Sequence, residues 1–403
     1  MTHYRAFVEK MPVRHVATST GYVENAFLAR NDLFREFFSR EAQHLALACY
    51  EMSQRFLEGG RLLSFGQGPY ATDAQHVSVE FVHPIIVGKR ALPALDLSML
   101  FRPWLETLLL PVDIVMGFGP PDGDPEVQAA LETARQRGAM TFALPGDYGS
   151  YSLKAATSDP FIHQEMIEIL YHTLWETVHV FFERRELGYG AGAARFLYPF
   201  LGEEKQGPAN VIEEVAISIC MKVEEDARLR AEIAREQSER IANTASAIRK
   251  RVEQGGKLIL FGNGGSATDA NDWAIDCILP QKGGRPIPAV SLSLEPAITT
   301  ALANDIGTEV IFLRQLIAHA RAPDVAIGIS TSGGSPNIIL ALEEARRRGL
   351  LTVALAGYNG GEVVRRSLAD FPLIVHSDYV PRIQEVQASI YHVLCELVGG
   401  ATE

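Results

Sequence analysis

The chain has 403 residues, 47% of them hydrophobic and 21% charged, with a formal net charge of −12. Its length exceeds what one hydrophobic core usually organises, so two domains are expected, and the acidic balance, with no basic stripe, argues against a nucleic-acid partner. No apolar run is long enough to span a membrane, and Met1-Thr-His-Tyr-Arg carries no secretory apolar stretch, so a cytoplasmic protein without a membrane partner is expected.

In chain order, a long amphipathic region from Val23 to Glu58 ends in a Gly-Gly pair that suits a helix C-cap. Leu62-Leu-Ser-Phe-Gly66 reads as a buried strand, and the helix after it carries His76 and Glu80 at i, i+4, on one face. A later helix carries Gln164 and His172, eight residues and about two turns apart. Gly188 to Pro208, rich in glycine and proline, reads as a linker, dividing the chain into domains at 1–200 and 201–403. A second long helix is expected from Val211 to Glu253. Strands then follow at Lys257 to Phe261, Ile287 to Leu292, Val325 to Ile329, Leu351 to Ala356 and Leu373 to His376, separated by helical patterns, with a last helix from Pro381 to Val398. Short apolar strands alternating with helices predict an α/β fold with a parallel sheet covered on both faces. Cys49, Cys220, Cys277 and Cys395 sit in apolar or helical contexts without a Cys-x-x-Cys pair and read as buried thiols.

The chain repeats itself. Leu62-Leu-Ser-Phe-Gly-Gln-Gly-Pro-Tyr-Ala-Thr-Asp-Ala74 aligns with Leu258-Ile-Leu-Phe-Gly-Asn-Gly-Gly-Ser-Ala-Thr-Asp-Ala270, and Leu131-Glu-Thr-Ala-Arg-Gln-Arg-Gly138 with Leu342-Glu-Glu-Ala-Arg-Arg-Arg-Gly349. Gln164 and Leu170-Tyr-His172 echo Gln384 and Ile390-Tyr-His392 at the same spacing, so the chain reads as a duplication. Only the second copy carries hydroxyl-rich glycine turns. Gly262-Asn-Gly-Gly-Ser266 and Gly328-Ile-Ser-Thr-Ser-Gly-Gly-Ser-Pro336 each follow a strand and precede a helix, where backbone N–H groups and hydroxyls can hold an anion. Four hydroxyls at one helix start (Ser330, Thr331, Ser332, Ser335), without a G-x-G-x-x-G or P-loop pattern, suit a phosphate monoester.

These motifs, with Asn304-Asp305, Gly307, Asn337, Gly360-Gly361, Arg382-Ile-Gln-Glu385 and His392, resemble the sugar isomerase (SIS) family, and within it the phosphoheptose isomerases. The resemblance implies two tandem SIS domains, each an α-β-α sandwich, and aldose–ketose isomerisation of a sugar phosphate such as sedoheptulose 7-phosphate. It places substrate on Asn263, Gly264, Ser266, Asn304, Asp305, Ser330, Thr331, Ser332, Ser335 and Gln384. It implies zinc, held in the first copy by His76, Glu80, Gln164 and His172, with a possible second set at Asp272, Asp276, Gln384 and His392. Glu80, His172, Asp276 and His392 are the candidate catalytic groups. By analogy the tandem chain forms a homodimer.

The two copies depart from the family pattern in opposite ways. The second copy has Asp272 and Asp276 where the family has histidine and glutamate, so the reach of a base there is shorter. The first copy keeps His76, Glu80, Gln164 and His172, but its loop, Gly117-Phe-Gly-Pro-Pro-Asp-Gly-Asp124, has no hydroxyl and two carboxylates, and Pro69-Tyr70 replaces Gly-Ser. The segment between Ser98 and Asp113 is too short to hold a counterpart of Asn304-Asp305. These departures lead to the expectation that isomerisation draws on residues of both copies. The rival reading is a non-catalytic phosphosugar-binding or regulatory protein. No helix-turn-helix segment precedes the first copy, which weighs against a transcriptional sensor.

Overall fold

The computed structural model describes residues 16–84, 89–147, 149–186, 208–280 and 283–400. The expected linker lies outside the described residues apart from Pro208. In the first half, a helix of 42 residues, α1 (Val16–Leu57), leads into β1 (Leu62–Gly66), α2 (Tyr70–Val82), β2 (Ala94–Asp96), α3 (Phe101–Leu108), β3 (Ile114–Phe118), α4 (Pro125–Gln136), β4 (Met140–Leu144), β5 (Tyr151–Ser152) and α5 (Pro160–Glu186). The second half repeats the order: α6 (Pro208–Glu253), β6 (Leu258–Gly262), α7 (Gly265–Ile278), β7 (Ala289–Ser291), α8 (Pro296–Asp305), α9 (Ile311–His319), β8 (Val325–Ser330), α10 (Pro336–Arg347), β9 (Leu351–Gly357), α11 (Gly361–Arg365), β10 (Phe371–Val375) and α12 (Val380–Gly399). One helix, α3, stands where the second half has α8 and α9, as the short segment before Asp113 requires.

Each half builds a five-stranded parallel sheet, in the orders β2-β1-β3-β4-β5 and β10-β9-β8-β6-β7. The central strands are buried at every position (β1, β3, β4, β6, β8, β9), as expected of a parallel sheet with helices on both faces. One register pair shows how well the repeat holds. Leu62 sits beside Ile114, and its counterpart Leu258 beside Val325. The two halves are therefore tandem α/β domains of one plan, the arrangement that the sequence resemblance implies.

The long helices cross between the halves. Val23 and Phe27 of α1 pack into the core of the second half with Ile383 and Leu394. Val215, Ile219 and Val223 of α6 pack into that of the first, with Phe37 and Trp175. Buried charge seals this exchange. Arg30 of α1 binds Glu165 of α5 at 2.9 Å, and Arg382 of α12 reaches Asp226 of α6 at 3.1 Å and Glu176 of α5 at 3.3 Å. At the centre α2 lies against α7, and α5 against α12. This brings together the helix faces that carry the candidate site residues. α6 ends as read from the Gly-Gly pair, with Gly255 at φ +83°, a left-handed conformation that a side chain would strain. Cys49, Cys277 and Cys395 are buried and Cys220 is half-buried, all as free thiols. Among the described residues no helix is long and apolar enough to cross a membrane.

Candidate active site

Two side-chain sets meet at the centre, and each is built from both halves. In the first, His76 and Glu80 of α2 face one another at 3.8 Å (Nε2 to Oε1), and the His172 ring lies 5.2 Å from that of His76. The glutamine that completes it is Gln384 of α12, with Nε2 3.3 Å from His76 Nε2. In the second, His392 Nε2 stands 3.3 Å from Asp276 Oδ2 and 3.7 Å from Asp272 Oδ2, and Gln164 of α5 donates to Asp272 Oδ1 at 2.7 Å. The glutamines are thus exchanged relative to the sequence-based grouping, which set Gln164 with His76 and Gln384 with Asp272. The reason is that α5 and α12 cross at the centre, so each glutamine, two turns before its histidine, projects toward the helix of the other half.

Each set faces the glycine turn of the opposite copy. Gly265 opens α7 directly after Gly262-Asn-Gly, and a Cβ on it would fall on Gln384 Nε2 and His76 Nε2. The hydroxyl-rich turn of the second copy therefore touches the His/Glu set of the first. The aspartate set lies instead under the first copy's degenerate turn: Gln164 Nε2 is 3.4 Å from the Pro69 carbonyl, and Thr72, next but one after Tyr70, donates to Asp272 at 2.9 Å.

The two helix starts at the sheet edges differ in the same sense. At α10, Ser335 makes no side-chain cap, Pro336 has no N–H and the Ile338 N–H donates to Asn337 Oδ1 at 2.9 Å, so an anion here would be met by the loop hydroxyls, with no carboxylate at the cap to repel it. Ser330 Oγ lies 3.4 Å from Ser335 Oγ, and Ser332 and Thr331 belong to the same loop. At α4, Asp124 caps its own helix, accepting from Glu126 N at 2.8 Å and Val127 N at 3.0 Å. That helix start is filled by a fixed negative charge. Asn263 and Asn337 exchange a reciprocal pair of 2.9 Å hydrogen bonds that ties the first glycine turn to the hydroxyl loop, while Ser266 is buried behind it. Asn304 and Asp305 are exposed on the last turn of α8, bonded to each other at 2.8 Å, with no hydrogen bond to that loop among the described residues.

The electrostatics separate the sets further. Burial, followed by the neighbouring His172, holds His76 well below the ordinary imidazole value, and burial together with Arg382 takes His172 down to about 3. Both rings are neutral and keep a lone pair. His172 Nδ1 bonds to Glu385 Oε1 at 2.9 Å, which turns Nε2 inward, and neither that atom nor Glu80 Oε2 has a hydrogen-bond partner. Burial, then Glu176, pushes the Glu80 carboxyl up to about 8. Two neutral imidazoles, an inward carboxylate and an amide, with orphaned buried atoms aimed at one point, form a donor set that fits zinc.

The aspartate set differs in charge: Asp276 Oδ2 and His392 Nε2 also lack a hydrogen-bond partner, but they face each other as an ion pair at 3.3 Å. Asp272 accepts from Thr72, Gln164 and Tyr391, and the last of these is 2.8 Å long. Burial would lower His392, but Asp272, Asp276 and Glu165 outweigh it and raise it well above the ordinary value. Its Nδ1 faces Glu165 Oε1 at 2.9 Å, and Glu165 is tied in turn to Arg30 and Ser389. His392 is thus an imidazolium clasped between carboxylates, a poor metal ligand, although Asp272, Asp276 and His392 do converge within 4.8 Å. Arg382 and Glu385, which sequence matching singled out as part of the family motif, are wholly buried. They act by bracing α12 and orienting His172. Sequence reasoning passed over Asp269, whose Oδ1 lies 3.4 Å from His76 Nδ1, because its counterpart Asp73 makes the pair look like repeat background.

Comparison with known proteins follows the same lines. The SIS domain family model matches residues 223–357. The chain is 42% identical over 189 residues to the phosphoheptose isomerase of Geobacter sp. (strain M21), covering 47% of this chain and 95% of that protein. It is 44% identical over 162 residues to the phosphoheptose isomerase of Aquifex aeolicus (strain VF5), covering 40% and 84%. Each relative therefore accounts for about one half of this chain. The solved C-terminal domain of glucosamine-fructose-6-phosphate aminotransferase from Francisella tularensis is similar over 93% of this chain and 95% of its own, with a TM-score of 0.55 at 9% identity, a likeness of fold.

Proposed function

The chain belongs to the phosphoheptose isomerase family of SIS-domain proteins, and from that premise we propose that it is an aldose–ketose isomerase acting on a sugar phosphate, with sedoheptulose 7-phosphate as the substrate. In this reading one composite site does the chemistry. The observation that carries it is the contact of Gly265 with His76 and Gln384, which sets the phosphate-type loops of one half beside the His/Glu set of the other.

The phosphate binds Ser330, Thr331, Ser332, Ser335 and Ser266, whose hydroxyls meet its charge at the start of α10. Asn263 and Asn337 hold the two turns at a fixed separation, and Gln384 meets a sugar oxygen. The reaction moves a proton between adjacent carbons through an enediol, so a base must reach carbon and an acid must serve the oxygens. Glu80, with one unpartnered carboxylate oxygen, takes and returns the carbon proton. Its elevated pKa matches that task. His172, whose Nδ1 is committed to Glu385, presents the Nε2 lone pair to the same point as a metal ligand, and the proton passes between the sugar oxygens through water or the sugar hydroxyls. Zinc would be held by His76, Glu80, His172 and Gln384 and would supply Lewis-acid stabilisation of enediolate charge. The aspartate set, with Asp276 and His392, takes no part, since it lies under Pro69-Tyr70 and the self-capped α4 where no phosphate is held.

The test is turnover: purified chain incubated with sedoheptulose 7-phosphate should produce the aldose phosphate. Tight binding of the sugar phosphate with no aldose formed would replace this reading with the non-catalytic, phosphosugar-sensing one.

A further inference from the structure

Between the two sets, where α2, α5 and α7 meet, lies a small cavity of about 10 Å³. That is room for about one water-sized particle, and far too little for a sugar. Four carboxyl side chains line it (Asp73, Asp269, Asp272 and Glu168), with no lysine or arginine among its lining residues. All four are at least nine-tenths buried. Asp272 and Asp73 are served by protein donors, the latter through Gln164 at 3.2 Å. Glu168 Oε1 and Asp269 Oδ2 are not: both are buried oxygens without any hydrogen-bond partner. One oxygen from each of these residues and a nitrogen of His76 lie within 4.8 Å of one another.

We propose that this cavity is a divalent-cation site, distinct from the His76–Glu80–His172 centre, in which Glu168 and Asp269 supply the ligand oxygens. The two centres lie on opposite sides of the His76 ring. Nε2 faces Glu80 and Gln384, and Nδ1 faces Asp269 Oδ1. A proton on Nδ1 shared with Asp269 leaves only oxygen donors for the cavity, a set that favours Mg²⁺ or Mn²⁺ over zinc. Asp269 then joins the centres, orienting His76 through one oxygen and holding the cation through the other. The site is a product of the fused chain. Gln164 and Tyr171 repeat as Gln384 and Tyr391, but the counterpart of Glu168 is Ala388, so this ligand enters from one half only.

The experiment uses the full chain, stripped with chelator, given one equivalent of zinc, and titrated with Mn²⁺ while free Mn²⁺ is followed by electron paramagnetic resonance. Wild type and Glu80→Ala should each bind about one Mn²⁺ per chain, whereas Glu168→Gln and Glu168→Ala should bind under about a tenth as much. Mn²⁺ should also raise the unfolding temperature of wild type and not of Glu168→Gln, which keeps the shape of the side chain should the alanine variant fail to fold. Equal binding by Glu168→Gln and wild type would overturn the assignment. So would no binding by wild type. Retained Mn²⁺ in Glu80→Ala keeps this site separate from the fate of the isomerase proposal.

Discussion

Replacing Glu80 by glutamine tests the composite site more sharply than any other single change, because it moves activity and stability in opposite directions. The substitution keeps shape and removes one charge from a side chain that is 4% exposed. A positioned general base contributes about a hundredfold to ten-thousandfold to rate, so turnover of sedoheptulose 7-phosphate should fall at least about a hundredfold. Sugar-phosphate binding should hardly change, since the loop that holds the phosphate is in the other half. For stability the sign follows from linkage. The folded carboxyl titrates at about 8 against an ordinary 4.5, so between those values the folded state binds the extra proton and stability falls as pH rises. At pH 7 the metal-free fold bears a penalty of about 3 kcal/mol from this group, which the glutamine variant does not. Metal-free Glu80→Gln should therefore melt above metal-free wild type at pH 7 to 8, with the difference vanishing toward pH 4. Paired assays with Asp276→Asn complete the test, because the local alternative gives proton transfer to Asp276 and His392. A Glu80→Gln enzyme of normal activity beside an inactive Asp276→Asn would refute the composite site.

Ser332→Ala combined with Ser335→Ala should weaken sugar-phosphate binding at least tenfold, read by calorimetry, because each hydrogen bond to a charged group contributes about 1.5 to 3 kcal/mol. Gly265→Ala should abolish turnover while leaving the far-ultraviolet spectrum native, since its methyl would displace both His76 and Gln384. Protein purified without chelator should carry about one zinc per chain, and His172→Ala should lower that at least tenfold by metal analysis.

Much of this was legible in the sequence because it lies in local chemistry. The second long helix, the five strands from Lys257 onward and the glycine turns follow from apolar period and from hydroxyls at helix starts, and the repeat supplied the first half by analogy. Gln164 and Gln384 could not be placed, because spacing along a helix fixes which face a residue occupies and says nothing of which helix lies opposite. Nothing in the sequence marked Glu165, and Glu385 stood out only as part of the motif Arg382-Ile-Gln-Glu385, with no sign of what it would bind. Glu165 is buried because Arg30 reaches it from α1 across 135 residues, and Glu385 because Arg382 one turn earlier on its own helix and His172 of α5 both bind it. The crossing of α1 and α6 between the cores was equally hidden. Both have the pattern of helices with an apolar face, and nothing in that pattern records that one face serves two cores.

The cross-wiring also changes what the opposite departures of the two copies mean. Taken half by half, the first copy lost its phosphate loop and the second lost its histidine and glutamate, as if two sites had each been damaged once. In space Asp272, Asp276 and His392 lie beneath Pro69-Tyr70, beside Gln164, so both losses fall within one composite centre and the other is whole. Beneath a loop like that of α4, which cannot hold phosphate, a histidine and a glutamate would have no substrate to act on. The residues in their place form an ion-paired core with His392. The consequence can be measured. Restoring the family pair by Asp272→His with Asp276→Glu should leave turnover within about twofold of wild type, since the restored set still faces a carboxylate-capped loop, and should cost stability through the bonds lost to Thr72, Gln164 and Tyr391, each worth about 1 kcal/mol. If each copy worked alone, the same pair would lengthen the base at the phosphate-binding half and raise turnover by an order of magnitude or more. A gain of that size would show that the loops at Ser330 and Gly262 work with the helix of their own half.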